Sequence, residues 1–266
     1  MRWVALPTAV LVLTFANSLE GQARRGGGLS CRDDNDDDWG ERYCNIQEKT
    51  LKAGGTIRVN AHPNGGVTVV GWDGTEIELR AKISARARSE ERAEEIGQSV
   101  KLQISGVDIS ADGPRLHNRE SWWVSFELRV PRNSDLWIRA QNGGIDIAEV
   151  HGDIDLGTIN GGLSLRGLGG DVRAETTNGG VDVELEGRRW NGTGLSVTTV
   201  NGGVDLAIPD RYSAELETGT VNGGIDFDFP VQVRGRLSRR ITTTLGEGGP
   251  PVRVMTTNGG VTVRRG

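Results

Sequence analysis

Apolar and polar residues alternate with a period of two along most of this chain. In the stretch before residue 178, Val172, Ala174 and Thr176 share one face, while Arg173 and Glu175 share the opposite face. The alternation resumes a few residues later, and the two stretches are separated by a pair of glycines. A period of two is that of a half-buried β-strand. The pattern therefore predicts short strands joined by tight turns.

One phrase recurs at the same phase of this alternation. Asn-Gly-Gly followed by an aliphatic, any and an apolar residue occurs seven times, beginning at Asn64, Asn142, Asn160, Asn178, Asn201, Asn222 and Asn258. From Asn142 onward the successive spacings are 18, 18, 23, 21 and 36 residues. The unit is therefore about 18 residues long, and the last interval is interpreted as two units whose middle copy has lost its glycines. Five copies extend backward as Thr-x-Asn-Gly-Gly, from Thr158, Thr176, Thr199, Thr220 and Thr256.

Two folds fit strands separated by Asn-Gly turns. Asn-Gly tolerates positive φ and is typical of hairpins in an antiparallel meander or sandwich. A constant period with the same residue at the same phase favours a β-solenoid, because equivalent residues of successive coils then lie about 4.8 Å apart and stack on their own kind. We predict an all-β fold, a solenoid-like stack of strand-turn-strand units with internal ladders of Thr and Asn.

The region before the regular repeats is less uniform. Residues 49–141 predict longer strands and a single helix from Ser89 to Val100, with Ser89 as its N-cap and Ala93, Ile96 and Val100 on its apolar face. We expect this helix to cap an open end of the sheets. Residues 142–266 contain the regular repeats, and 49–266 are expected to form one continuous domain.

The N-terminus has the features of an export signal. Arg2 precedes an apolar run from Trp3 to Phe15, and Gly21 and Ala23 supply the small residues of a cleavage site. Residues 1–23 are therefore interpreted as a signal peptide; a lipoprotein signal at Cys31 is the weaker alternative. No later stretch of 18 apolar residues predicts a transmembrane segment in the mature chain. We expect a periplasmic, extracellular or cell-surface location.

Residues 24–48 are predicted to form an acidic segment that contains a disulfide. Cys31 and Cys44 are the only cysteines, and an oxidising compartment favours their pairing. Between them, Asp34, Asp36 and Asp38 imitate the first ligands of a calcium loop. The imitation lacks the loop's glycine and its bidentate glutamate. A solvated acidic linker is the favoured interpretation, with weak calcium binding as the alternative and no other cofactor expected.

Composition excludes some functions and leaves others without support. The chain has 31 basic and 36 acidic residues, a net charge of -5, which argues against nucleic acid as a partner. His62, His117 and His151 are isolated from one another. Neither a nucleophile elbow nor a phosphate loop is present, and the paired glycines are explained by turns. We therefore expect no catalytic residues.

Two sets of outward residues are candidates for a binding surface. Asp146, Asp182, Asp205 and Asp226 occupy the same phase after their turns, so stacking would place their carboxylates side by side. Trp123 and Trp137 fall on the outer phase of two consecutive predicted strands. Exposed indoles can contact sugars or proteins, although cover by a loop is the commoner outcome.

The export signal, the acidic head between Cys31 and Cys44, and the phrase Thr-x-Asn-Gly-Gly-Val-Asp-Val resemble the toastrack family of bacterial β-strand-repeat proteins, which are labelled as adhesins. The resemblance covers about residues 50–266. It implies a β-repeat fold and transfers no catalytic residue to this chain. Some relatives accompany membrane-embedded envelope-stress proteins, which would imply a surface for sensing or assembly.

Three functions remain open on the sequence. The first is an exported, non-catalytic adhesin or binding module with a protein or glycan partner. The second is an envelope scaffold or stress-linked assembly protein that self-associates. The third, with least support, is a polysaccharide-active enzyme. Binding without turnover, concentration-dependent association and release of sugar fragments distinguish the three.

Overall fold

The structure is a computed structural model that describes residues 28–31, 40–229 and 239–266. The described residues form twenty strands and one helix. In chain order these are β1 (Glu41–Lys52), β2 (Ile57–Asn64), β3 (Val67–Trp72), β4 (Glu76–Ala87), α1 (Glu90–Ser99), β5 (Lys101–Ser105), β6 (Asp108–Asp112), β7 (Ser121–Pro131), β8 (Leu136–Asn142), β9 (Ile145–Ala148), β10 (His151–Asn160), β11 (Leu163–Arg166), β12 (Gly169–Asn178), β13 (Val181–Glu184), β14 (Gly194–Asn201), β15 (Val204–Ile208), β16 (Ala214–Asn222), β17 (Ile225–Phe227), β18 (Arg240–Leu245), β19 (Pro251–Asn258) and β20 (Val261–Arg265).

The strands form two ten-stranded sheets that face each other. Sheet A has the order β1-β4-β7-β3-β9-β11-β13-β15-β20-β17, and sheet B has the order β18-β16-β19-β14-β12-β10-β8-β2-β6-β5. Each repeat contributes one strand to sheet B, turns at its Asn-Gly-Gly corner, and contributes the next strand to sheet A. The repeats are therefore coils of a solenoid-like stack, and the predicted all-β class is confirmed.

Neighbouring coils pair in parallel with equivalent residues opposite each other. In sheet B, β10 pairs with β12 so that Thr158 lies opposite Thr176 and Asn160 opposite Asn178. In sheet A, β11 pairs with β13 in the same sense. An antiparallel meander would place these residues at alternate ends of the strands, so it is excluded for the repeats.

The order of the coils in space departs from their order in the chain. The coil of Asn258 lies between the coils of Asn201 and Asn222, because β19 pairs with both β14 and β16. The predicted direct contact between Asn201 and Asn222 is therefore wrong. The predicted middle copy in the last interval is also wrong, since β18 pairs antiparallel with the outer side of β16 instead of forming a parallel coil.

The coil of Asn64 joins the same stack from a distant part of the chain. Strands β2 and β3 pair in parallel with β8 and β9, so Asn64 lies opposite Asn142. Beyond this coil the sheets continue with antiparallel pairs, β4 with β1 and β7 in sheet A and β5 with β6 in sheet B. Strand β1 runs unbroken through residue 48, where the expected acidic segment ends.

The helix lies at this end of the stack, as predicted. The Ser89 side chain accepts a hydrogen bond from the backbone N–H of Arg92, and Ala93 and Ile96 are buried. The helix packs against β1 and β4. It thus covers apolar strand surface that no further coil covers, which is the physical role of a cap.

The core lies between the sheets and consists of rows of like aliphatic side chains. One row in sheet B contains Leu136, Ile154, Val172, Leu195 and Val252, all buried and in register. Because equivalent residues of neighbouring coils lie opposite each other, their branched side chains interlock from coil to coil.

Within the described residues, no helix is both long and apolar enough to cross a bilayer.

Candidate binding surface

The Asn-Gly-Gly corners form a continuous ladder along one side of the stack. Each of six asparagines donates a hydrogen bond from Nδ2 to Oδ1 of its neighbour, over 2.8 to 2.9 Å. The ladder runs in the order Asn64, Asn142, Asn160, Asn178, Asn201, Asn258 and Asn222. All the bonds point the same way, so the amides can polarise one another.

The ladder is on the surface, whereas the threonines two residues earlier are inside. Asn160 and Asn178 are exposed, so the expectation of an internal Asn ladder is wrong. Thr176 is buried, and its hydroxyl donates to the backbone carbonyl of Gly161 at 2.8 Å. The other four threonines of the motif make equivalent bonds. Buried Thr and exposed Asn therefore secure each corner to the next coil from both sides.

The first glycine of each corner is required for close approach between coils. A Cβ added to Gly179 would lie 2.0 Å from the carbonyl oxygen of Gly161. The positive φ that is typical of Asn-Gly turns does not occur at Gly179, whose φ lies outside the left-handed region. Contact between stacked backbones is what excludes a side chain here.

A row of β-branched residues runs beside the Asn ladder, and all of its members except the half-buried Thr257 are exposed. The residue before each Asn points away from the core; we call Ile159, Thr177, Val200, Thr257 and Val221 the aliphatic row. Ile159 and Val200 are 44% exposed and Val221 is 50% exposed. These are three of the five large hydrophobic residues that are exposed in the described chain, and the row continues across five neighbouring strands. Sequence reasoning missed it, although an aliphatic residue at the outward phase of three motifs was the available signal.

Trp137 lies on the same outer face of sheet B as the aliphatic row. The Arg139 guanidinium stacks over the Trp137 ring with its Cζ 4.5 Å from the ring centre, and Arg139 also binds Asp155 at 3.0 Å. Trp123 belongs to β7 in sheet A, so the two tryptophans face opposite sides of the molecule. Both are only partly exposed. The expectation that they form one patch is therefore wrong.

The aspartate row lies on the outer face of sheet A but is interrupted. Asp182 and Asp205 are directly opposite each other, while Ser164 separates Asp146 from Asp182 and Thr262 separates Asp205 from Asp226. The four carboxylates are therefore not consecutive neighbours as expected.

Arginines of adjacent strands offset part of this negative charge. Arg166 binds Asp146 at 3.2 Å and Arg264 binds Asp205 at 2.6 Å. Burial raises the pKa of Asp146 above its ordinary value, an effect that Arg166 opposes. These cross-strand ion pairs explain how parallel stacking tolerates the aspartates.

The N-terminal segment is attached to the outer face of sheet A. Cys31 and Cys44 form a disulfide, and the backbone of Leu29 both donates to Glu127 and accepts from Arg80. Asp34, Asp36 and Asp38, the weak calcium candidates, lie outside the described residues.

The described residues show no grouping that suggests a reaction. His62, His117 and His151 remain far apart in the fold, on β2, in the loop before β7 and at the start of β10. No cluster of three metal-binding side chains occurs among residues 28–31, 40–229 and 239–266. A cavity of about 750 Å³ is lined mainly by small residues such as Gly54, Gly55 and Ser134, with His151 at its side.

Comparisons with known proteins give one family. Residues 133–264 match the family model Toastrack DUF4097, and the comparison with curated proteins finds no match. Among solved structures, a "putative cell adhesion protein" from Clostridium sporogenes ATCC 15579 is 9% identical with a TM-score of 0.46, covering 84% of this chain and 100% of its own.

Two further solved structures are more distant in shape. A "putative adhesin" from Bacteroides fragilis NCTC 9343 is 9% identical with a TM-score of 0.38, covering 83% of this chain and 97% of its own. A "putative lipid binding protein" from Parabacteroides distasonis ATCC 8503 is 8% identical with a TM-score of 0.31, covering 83% of this chain and 96% of its own. The family match falls on the regular coils with their Asn-Gly-Gly corners, and through residues 133–264 this chain belongs to the Toastrack DUF4097 family.

Proposed function

We propose that this protein is an exported, non-catalytic binding module of the adhesin type at the cell envelope, and that it contacts its partner through the outer face of sheet B. The observation that carries the proposal is the aliphatic row beside the Asn ladder. Exposed aliphatic side chains are common singly, but here three of them alternate with threonine methyl groups along one face and are rimmed by polar groups, as is typical of an interaction site.

The backbone makes this face rigid and regular. The strands that carry the aliphatic row are paired on both sides, in parallel except where β16 meets β18. The side chains of the row therefore lose little conformational freedom when a ligand binds. Neighbouring strands lie about 4.8 Å apart, so methyl groups and amides repeat at that interval along the stack. A flat ligand would therefore meet apolar contacts and hydrogen-bonding groups together.

These features favour an extended glycan as the partner. A sugar ring has an apolar face of C–H groups, which can pack on Ile159 and Val200, and hydroxyls at its rim, which can bond to amides such as Asn178. Trp137 lies on the same face at the end nearer the helix and offers a stacking surface that Arg139 partly covers. Apolar packing of this kind should depend only weakly on salt.

The test is co-sedimentation of the purified protein with peptidoglycan, chitin and cellulose particles. Saturable binding to at least one of them is expected. Replacing Ile159, Val200 and Val221 together by Ser should weaken that binding about a hundredfold or more, since interaction sites lose roughly 1 to 2 kcal/mol for each buried aliphatic contact removed. Val70→Ser is the matched control, because Val70 is also exposed but lies on sheet A.

Several outcomes would contradict the proposal. Failure to bind any of the three particles would remove the glycan partner, and equal binding by the triple variant would remove the aliphatic row as the site. Melting temperatures close to that of the unmodified protein would show that the variants fold, as expected for surface substitutions. Release of soluble sugar from the particles would overturn the non-catalytic assignment.

A further inference from the structure

One edge of the sheets differs from the other three described edges. Strand β1, at the edge of sheet A, is 12 residues long, whereas the edge strands β5, β17 and β18 have 5, 3 and 6 residues. Proteins commonly keep edge strands short, kinked or interrupted by proline, because an unpaired strand edge is a template for another chain. β1 contains neither Pro nor Gly and pairs with β4 over twelve consecutive residues without a bulge. Among the described strands, none pairs with its other side, so a long and regular row of backbone groups lies at this edge.

The charges along β1 are complementary to those of a second copy of the same strand. Around a two-fold axis perpendicular to the sheet, residues of the same face must oppose each other, so the pairing is centred on a residue of the strand. When Asn45 is the centre, Glu41 opposes Lys49 of the other copy and Arg42 opposes Glu48. Symmetry repeats both pairs, which gives four pairs of opposite charge along nine residues and none of like charge.

Alternative registers of the same two strands are less favourable. Centring on Gln47 places Arg42 opposite Lys52, and centring on Glu48 or Lys49 places that residue opposite its own copy. Like charges directly opposite each other destabilise a pair of strands. Centring on Ile46 gives no pair of opposite charge. Among these registers, the one centred on Asn45 has the most pairs of opposite charge.

The groups needed for this pairing are accessible. Glu41, Glu48 and Lys49 are exposed, and Arg42 is half-buried. Within the described part of the chain, Glu41, Arg42 and Lys49 make no ion pair; Glu48 binds Arg80 at 3.1 Å but its side chain remains 62% exposed. The helix packs on the face of β1 that carries Tyr43, and the described N-terminal residues lie on the opposite face, where Cys31 is bonded to Cys44 and Leu29 contacts β4 and β7.

We propose that β1 pairs antiparallel with β1 of a second copy of this chain, centred on Asn45, and joins the two ten-stranded A sheets into one. Backbone hydrogen bonds would supply the attraction, and the two kinds of ion pair would set the register. The interface leaves the aliphatic row free, since that row belongs to sheet B. A dimer would therefore present two copies of the row and increase the avidity for a repetitive ligand.

The test is the mass of the protein in solution, with its disulfide intact, measured by analytical ultracentrifugation across a concentration series. A monomer–dimer equilibrium is expected that weakens in high salt. Lys49→Glu should weaken the dimer by about tenfold or more, because it places like charges opposite Glu41 twice. Glu41→Lys alone should do the same, and the double variant Glu41→Lys/Lys49→Glu should restore association. Lys101→Glu on edge strand β5 is the matched control and should leave the dimer unchanged.

A second measurement locates the contact in the unmodified protein. A zero-length carbodiimide cross-linker applied to mixed ¹⁴N and ¹⁵N protein should yield a mixed-isotope peptide that joins Glu41 to Lys49. A protein that stays monomeric at all concentrations would overturn the proposal. So would a dimer that Lys49→Glu does not weaken, or a charge swap that folds but fails to restore association.

Discussion

Gly179 allows a direct test of how closely the coils approach each other. Its missing side chain faces the backbone of the neighbouring coil, where an added Cβ would lie 2.0 Å from the carbonyl oxygen and 2.5 Å from the carbonyl carbon of Gly161. Real Cβ atoms keep at least 3.0 Å from such atoms, so Gly179→Ala requires the two backbones to separate by about 1 Å. Even the smallest side chain should therefore be poorly tolerated.

The cost can be worked from what that separation disturbs. Gly161 donates a backbone hydrogen bond to Asn178, and Leu163 donates one to Gly180, each over 3.0 Å. Forcing extra atoms into a packed site typically costs 1 to 3 kcal/mol, and each weakened hydrogen bond adds up to about 1 kcal/mol. We expect a loss of about 3 kcal/mol in the free energy of unfolding. For a domain of this size that corresponds to a melting temperature lower by roughly 6 to 12 °C.

The control is the next residue in the same turn. A Cβ on Gly180 would have its nearest neighbour at 3.8 Å, the carbonyl oxygen of Gly203, and Gly180 has no φ in the left-handed region. Gly180→Ala should therefore change the melting temperature by no more than about 2 °C. Thermal unfolding followed by circular dichroism compares the two variants. If Gly179→Ala melts within 2 °C of Gly180→Ala, the proposed backbone contact does not restrict this site.

Two further predictions concern hydrogen bonds that secure the fold. Asn178→Ala removes the bond donated to Asn160 and the one accepted from Asn201, so the free energy of unfolding should fall by about 1 to 2 kcal/mol. Asn222 lies at the end of the ladder and makes one such bond, so Asn222→Ala should lower the free energy of unfolding by about half as much. Equal losses for the two variants in chemical unfolding would contradict a ladder. The second concerns Glu120, whose pKa is lowered to about 2 by its bonds to Arg92. Because that pKa is below the unfolded value, the carboxylate contributes stability above about pH 4.5 that is lost as the pH falls toward 2. Glu120→Gln should therefore melt lower than the unmodified protein at pH 7, with the gap closing toward pH 2, and a gap that is independent of pH would show that the ion pair does not stabilise the fold.

The sequence by itself determined the parallel stacking. Thr and Asn recur two residues apart at one phase of an alternating pattern, and only coils in parallel register place each Thr beside a Thr and each Asn beside an Asn. The N-cap Ser89 likewise determined where the helix begins. These features depend on local geometry and on the period of the chain, which a sequence displays directly.

The order of the coils was decided only by the tertiary structure. Because all corners carry nearly the same residues, each coil can stack on any other, and nothing local specifies that Asn258 lies between Asn201 and Asn222. That order depends on which surfaces fit across the whole stack, including the antiparallel cover that β18 provides for β16.

Which residues lie together on one surface was also decided only by the tertiary structure. A period of two separates inward from outward residues but does not say which sheet a strand joins, so Trp123 and Trp137 appeared to share a patch although they lie on opposite sheets. The paired glycines are recognisable as turn residues in the sequence, but the close backbone contact that requires a glycine at position 179 is not, because distances between coils are not visible in one strand. The aliphatic row and the free edge of β1 emerge only when neighbouring strands are known, since each is a property of strands side by side.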